Sequence, residues 1–119
     1  MRHIESDIQI ACVGWFRLQY RPLTPLLFAV PNGGARNAVT AAILKAEGVV
    51  AGVADLLLLY PAGNCHGLCI EMKKPGGKQS QSQKDWQKEV EAQGYKYIVC
   101  YGIEDFRDKV SRYIDGEEI

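Results

Sequence analysis

At 119 residues and 13.2 kDa the chain is long enough for one domain with a real core and too short for two comfortable ones. Lys plus Arg and Asp plus Glu number 14 each, so the formal net charge is zero, there is no global positive field, and any polyanion site must be a local patch. A hydrophobic fraction of 47% with 24% charged residues excludes disorder, collagen-like sequence and coiled coil, and no apolar run approaches the roughly 18 residues of a membrane span.

The first residues, Met1-Arg2-His3-Ile4-Glu5-Ser6-Asp7, carry charges where a signal peptide needs an apolar run, which predicts a cytoplasmic protein. Over residues 4–20 the apolar positions Ile4, Ile8, Cys12, Trp15 and Phe16 recur at helical spacing until Pro22 stops the pattern. Residues 26–30, Leu-Leu-Phe-Ala-Val, form a short apolar run between Pro25 and Pro31-Asn32-Gly33-Gly34, the pattern of a buried strand feeding a tight turn. A second helix is predicted over residues 35–47, with Gly48 placed for a left-handed C-terminal cap. Residues 53–60 and 67–73 are strands, joined by a turn-rich segment into a hairpin.

Ser80-x-x-Gln83 matches a capping box that opens a helix reaching about residue 93, with Gly94 closing it. A strand over residues 95–101 and a helix over 103–114, with Phe106, Val110 and Tyr113 on one face, complete the series. Residues 115–119 are expected to fray. Because a helix separates the last two strands, they are expected to run parallel, whereas the preceding pair is antiparallel. The fold class is therefore α/β, one domain over residues 1–119 with a small mixed sheet flanked by helices.

Four cysteines, Cys12, Cys65, Cys69 and Cys100, lack paired zinc-site spacing, and a reducing compartment disfavours disulfides. Cys65-His66-x-x-Cys69 is the one cluster that invites a metal, but a fourth ligand is missing and a strand-turn-strand with a buried Cys69 explains it as well.

Glu71-Met72-Lys73 carries more information. Strand alternation puts Glu71 and Lys73 on one side while Met72 enters the core. Asp55 begins the neighbouring strand, where antiparallel pairing brings its carboxylate beside Glu71. Two close carboxylates repel unless they share a proton or a cation, and a hard cation such as Mg²⁺ takes one or two carboxylates while leaving positions for phosphate oxygens. Lys73 is then placed to orient or help deprotonate an attacking water, or to neutralise charge on a phosphate. The combination points to phosphodiester hydrolysis. A same-face ion pair between Glu71 and Lys73, with Asp55 as a turn residue, accounts for the same residues without chemistry.

Gly52-Val53-Ala54-Asp55 followed by Glu71-Met72-Lys73 resembles the split motif of the PD-(D/E)XK nuclease superfamily. Glu5, Asn32-Gly33-Gly34-Ala35-Arg36, Leu44-Lys45-Ala46-Glu47-Gly48 and Ser80-x-x-Gln83-x-x-Trp86 resemble, in order and spacing, the stand-alone VRR-NUC (virus-type replication-repair nuclease) domains of phages and bacteria. Glu-x-Lys alone is a weak signal, whereas the ordered set is strong. Ala54 replaces the superfamily's proline, which supplies no ligand.

The resemblance implies a restriction-endonuclease-like core in which Asp55, Glu71 and the Met72 backbone carbonyl bind Mg²⁺ or Mn²⁺. It implies that Lys73 is the catalytic lysine, that Gln83 orders the site and that Glu5 approaches from the first helix. It further implies a homodimer, in the cytoplasm of a bacterial or phage-infected cell, cleaving branched DNA such as Holliday junctions. Gln83 is also explained by its capping box alone, and Glu5 by a favourable place at a helix start.

Asn32, Gly33 and Gly34, with Arg36 behind them, form a turn able to approach a phosphate, or a simple strand-to-helix turn. Lys74, Lys78 and Lys84, near Lys73 and a glycine-rich loop, form a local basic excess suited to a DNA backbone, or serve solubility. Trp15, Trp86 and Tyr97 read as core. Two other functions fit the same fold: a non-catalytic nucleic-acid-binding module, and an exonuclease acting on linear ends.

Overall fold

A computed structural model describes residues 4–31 and 37–119. Helix α1 (Ile4–Gln19) opens the chain, with Glu5 and Asp7 in its first turn and Arg17 in its last, matching the helix dipole at both ends. It buries Cys12 and Phe16, one turn apart. The helical pattern does not give way directly to a strand. Pro22 sits in the first turn of a 3₁₀ helix, Arg21–Leu26, and Leu27 returns the backbone to an extended conformation.

Strand β1 (Leu27–Ala29) follows, then helix α2 (Ala38–Ala46), whose N-cap Asn37 accepts from the Thr40 N–H at 2.8 Å. Strands β2 (Leu56–Leu58) and β3 (Leu68–Met72), helix α3 (Gln81–Ala92), strand β4 (Lys96–Cys100) and helix α4 (Ile103–Ile114) complete the order. The four strands lie in the order β1-β2-β3-β4. The β2–β3 hairpin is antiparallel and β3–β4 is parallel across α3, both as the sequence predicts; β1 adds antiparallel to β2. The strands are shorter than their apolar runs.

All five residues of β3 are buried, because the central strand is covered on both faces. On one face, Leu56, Leu58, Leu68, Ile70, Met72, Ile98 and Cys100 meet Cys12 and Phe16 of α1 and Phe106, Val110 and Tyr113 of α4. On the other, Cys69 and Tyr97 pack with Ala54, with Trp86 and Val90 of α3 partly buried against them. The result is a mixed sheet between helices, and Glu71 belongs to the face that α3 covers.

The tail and the hairpin end are both held in place. Residues 115–119 are held rather than loose: the Glu117 N–H donates to the Arg112 carbonyl at 3.0 Å, and Ile119 packs partly buried against the main core. Of the Cys-His cluster, Cys69 is buried, while His66 donates its backbone N–H to the Gly94 carbonyl at 2.8 Å and lies edge-on to Tyr95. The hairpin end is thereby pinned to the exit of α3. Among the described residues no three His, Cys, Asp or Glu side chains converge as a metal-binding group.

Candidate active site

Glu71 is the one charged residue that the core buries among the described residues, with 2% of its surface exposed. Strand register explains its position. Leu56 pairs with Ile70, so Asp55, one residue before β2, stands opposite Glu71. Asp55 is anchored by its backbone carbonyl, which accepts from the Val30 N–H at 2.9 Å, and by Oδ2, which accepts from the Met72 N–H at 2.7 Å.

Glu71 Oε2 accepts from Gln83 Nε2 at 2.9 Å and lies 3.5 Å from Lys73 Nζ. Its Oε1 is buried with no hydrogen-bond partner. Burial and then the adjacent Asp55 carboxyl push Glu71 up from the usual glutamate range to about 8, against the opposing pull of Lys73. As two carboxylates the pair has no proton to share, and the adjacent Asp55 carboxyl favours the protonated form of Glu71. An orphaned buried oxygen beside a second carboxylate is an oxygen-donor set that fits a hard divalent cation.

Gln83 serves two elements at once. Its Oε1 accepts from the Ser80 N–H at 2.8 Å and its own N–H donates to Ser80 Oγ at 3.2 Å, which closes the capping box of α3. Its free amide end is the donor to Glu71. The start of α3 is pressed against the segment leading into Asp55 at Gly52, whose φ is +84° and where a Cβ would collide with the Ser82 carbonyl oxygen. Only glycine permits that approach.

Asp55, Glu71, Lys73 and Gln83 line a cleft of about 1090 Å³. Glu5 lines it too, from the start of α1, without joining the carboxylate pair as a third close acidic group. The end of α2 and the residues beyond it add Leu44, Lys45, Val49 and Val50 to the lining. Lys74, Lys78 and Lys84 are exposed but do not line the cleft. Asn32, Gly33, Gly34 and Arg36 lie outside the described residues. Trp86 is half-buried and Tyr97 buried, as core side chains beneath α3.

Sequence reasoning assigned no role to Lys45. Its signal was available in Gly48, since a glycine cap three residues on marks Lys45 as part of the last helical turn and so near wherever the chain turns back.

This mixed four-stranded sheet, with an acidic pair and a lysine at one point of its covered face, defines a PD-(D/E)XK-type nuclease fold. The family model of the VRR-NUC domain matches residues 4–104, and the chain belongs to that family of nuclease domains. A solved structure called a VRR_NUC domain protein superposes with a TM-score of 0.85 at 28% identity, covering 99% of this chain and 93% of that one. No curated protein matches the chain. Among the described residues no helix is long and apolar enough to cross a membrane.

Proposed function

We propose that this domain is a divalent-cation-dependent DNA endonuclease of the cytoplasm, selective for branched DNA such as Holliday junctions and active as a homodimer. One observation carries the reading: a buried glutamate, faced by a second carboxylate and flanked by Lys73, retains an oxygen without a partner. Nothing in a purely structural ion pair calls for two carboxylates at that point.

Asp55, Glu71 and the Met72 carbonyl would hold Mg²⁺ or Mn²⁺, with Glu5 as a further donor from α1. The cation would polarise the scissile phosphate and activate the attacking water. Gln83 fixes the Glu71 carboxylate through Oε2, which leaves Oε1 as the donor atom. Lys73, 14% exposed and fixed beside Glu71, presents its ammonium where charge accumulates on phosphate oxygens. Exposed Lys74, Lys78 and Lys84 supply contacts to the flanking DNA backbone.

The dimer follows from having one site per chain against a two-fold symmetric junction. It is also supported by α1, which leaves Ile10 68% and Leu18 71% exposed on the side away from buried Cys12 and Phe16. Sedimentation of the wild-type chain and of Leu18→Glu checks it: the expected result is a dimer that the substitution dissociates.

The decisive assay is cleavage of a labelled four-way junction, with flap and linear duplex alongside. Mg²⁺-dependent cleavage of the junction that EDTA abolishes is expected, with Glu71→Ala and Lys73→Ala folded but inactive. Junction binding without cleavage under any divalent cation would make the domain a binding module. Degradation from linear ends would make it an exonuclease.

A further inference from the structure

The Leu44-Lys45-Ala46-Glu47-Gly48 segment has no place in the reaction described above, yet its Leu44, Lys45 and Gly48 line the same cleft as the carboxylates. Its local geometry is determined by the end of α2. Gly48 takes φ +109°, donating its N–H to the Lys45 carbonyl at 3.1 Å, while Val49 donates to the Leu44 carbonyl at 3.0 Å. These two bonds form a Schellman motif. It ends the helix at a fixed point and turns the chain so that Leu44, Lys45, Val49 and Val50 share the cleft wall.

Charge then singles out Lys45. Three acidic side chains line the cleft, Glu5, Asp55 and Glu71, and two cationic ones, Lys45 and Lys73. Lys73 is committed to Glu71 at 3.5 Å. The Lys45 ammonium makes no hydrogen bond or ion pair among the described residues. A phosphodiester entering this acidic cleft must be met by positive charge that is not already committed to a carboxylate. Around Lys45, Leu44, Val49 and Val50 offer an apolar wall, with Val49 and Val50 about half exposed, suited to a sugar or base edge and not to a second phosphate.

We propose that Lys45 is a substrate-binding residue that contacts a backbone phosphate of the cleaved strand within the cleft that Asp55 and Glu71 also line. The proposal rests on the nuclease reading and deepens it: the occupant of the α2 side of the cleft is one phosphate of a nucleic-acid strand, contacted without regard to base sequence. α2 buries no residue, so changing Lys45 leaves the core intact.

The test is binding of a labelled four-way junction by the full chain in EDTA, across a salt series, and steady-state cleavage in Mg²⁺. Lys45→Gln, Lys45→Arg and a control, Lys88→Gln on α3, are compared with wild type. Lys45→Gln should weaken binding and raise KM about five- to tenfold and lower the slope of log affinity against log salt by about 0.9, the contribution of one phosphate contact. Its kcat should stay close to wild type. Lys45→Arg should restore most of both, and Lys88→Gln should change neither. A lysine that merely complements the helix dipole would alter melting temperature but not the salt slope. Wild-type cleavage with Lys45→Gln unchanged in slope and KM overturns this inference alone. A wild-type chain that neither binds nor cleaves DNA overturns the nuclease reading and this inference with it.

Discussion

Glu71→Gln keeps the shape of the side chain and removes its charge, which separates two properties that Glu71 combines. In the folded, cation-free chain its carboxyl is raised to about 8 by burial and by Asp55. A group raised on folding contributes stability that is fully present below its unfolded value, near 4.5, and is lost as pH rises through about 8. The wild-type melting temperature in EDTA should therefore fall between pH 5 and pH 8.5. The Glu71→Gln variant should lose most of that fall, because it never has to place a charge there. Cleavage by the same variant should drop by about 100-fold or more, since an essential charged group at the reacting phosphate is gone. A wild-type melting curve independent of pH over this range would contradict the burial argument, whatever the activity shows.

At the scale of elements, the link between α3 and the site runs through Gln83. Ser80→Ala removes the cap and should cost about 1 kcal/mol. Gln83→Ala loses the reciprocal half of the capping box and also the donor to Glu71, so at similar stability it should cleave more slowly than Ser80→Ala. Urea denaturation paired with cleavage rates distinguishes them, and equal rates would reduce Gln83 to a cap. Gly52→Ala should be more damaging than either, by about 1 kcal/mol or more, because a Cβ both strains φ +84° and collides with the Ser82 backbone. The elements themselves were legible because each carried a local signal: helical spacing in α1, the Ser80 to Gln83 box, alternation around Glu71. The Asp55 and Glu71 pairing was legible because hairpin register is local. The 3₁₀ helix after α1 was hidden, since Pro22 announces a stop without saying what replaces the helix. The place of Lys45 in the cleft lining was hidden too, because no strand or helix joins it to the carboxylates.

Over the whole molecule, the fold spends one sheet face on a continuous apolar core against α1 and α4 and admits its buried carboxylate only on the other. That arrangement makes stability and cation binding parts of one equilibrium. The unfolded chain holds Asp55 and Glu71 apart, so a cation that needs both binds the native state alone and stabilises it by mass action. Binding requires Glu71 ionised, and below about pH 8 ionisation must displace a proton. The gain in melting temperature on adding 10 mM Mg²⁺ in place of EDTA should accordingly grow as pH is raised from 6 to 8.5, as the wild-type chain alone becomes less stable. Glu71→Gln should show almost no gain at either pH, while Lys45→Gln, whose ammonium pairs with neither carboxylate, should keep it. Differential scanning fluorimetry at the two pH values checks all three. A Mg²⁺ shift that is the same at pH 6 and 8.5, or that survives Glu71→Gln, would place the cation somewhere other than this carboxylate pair.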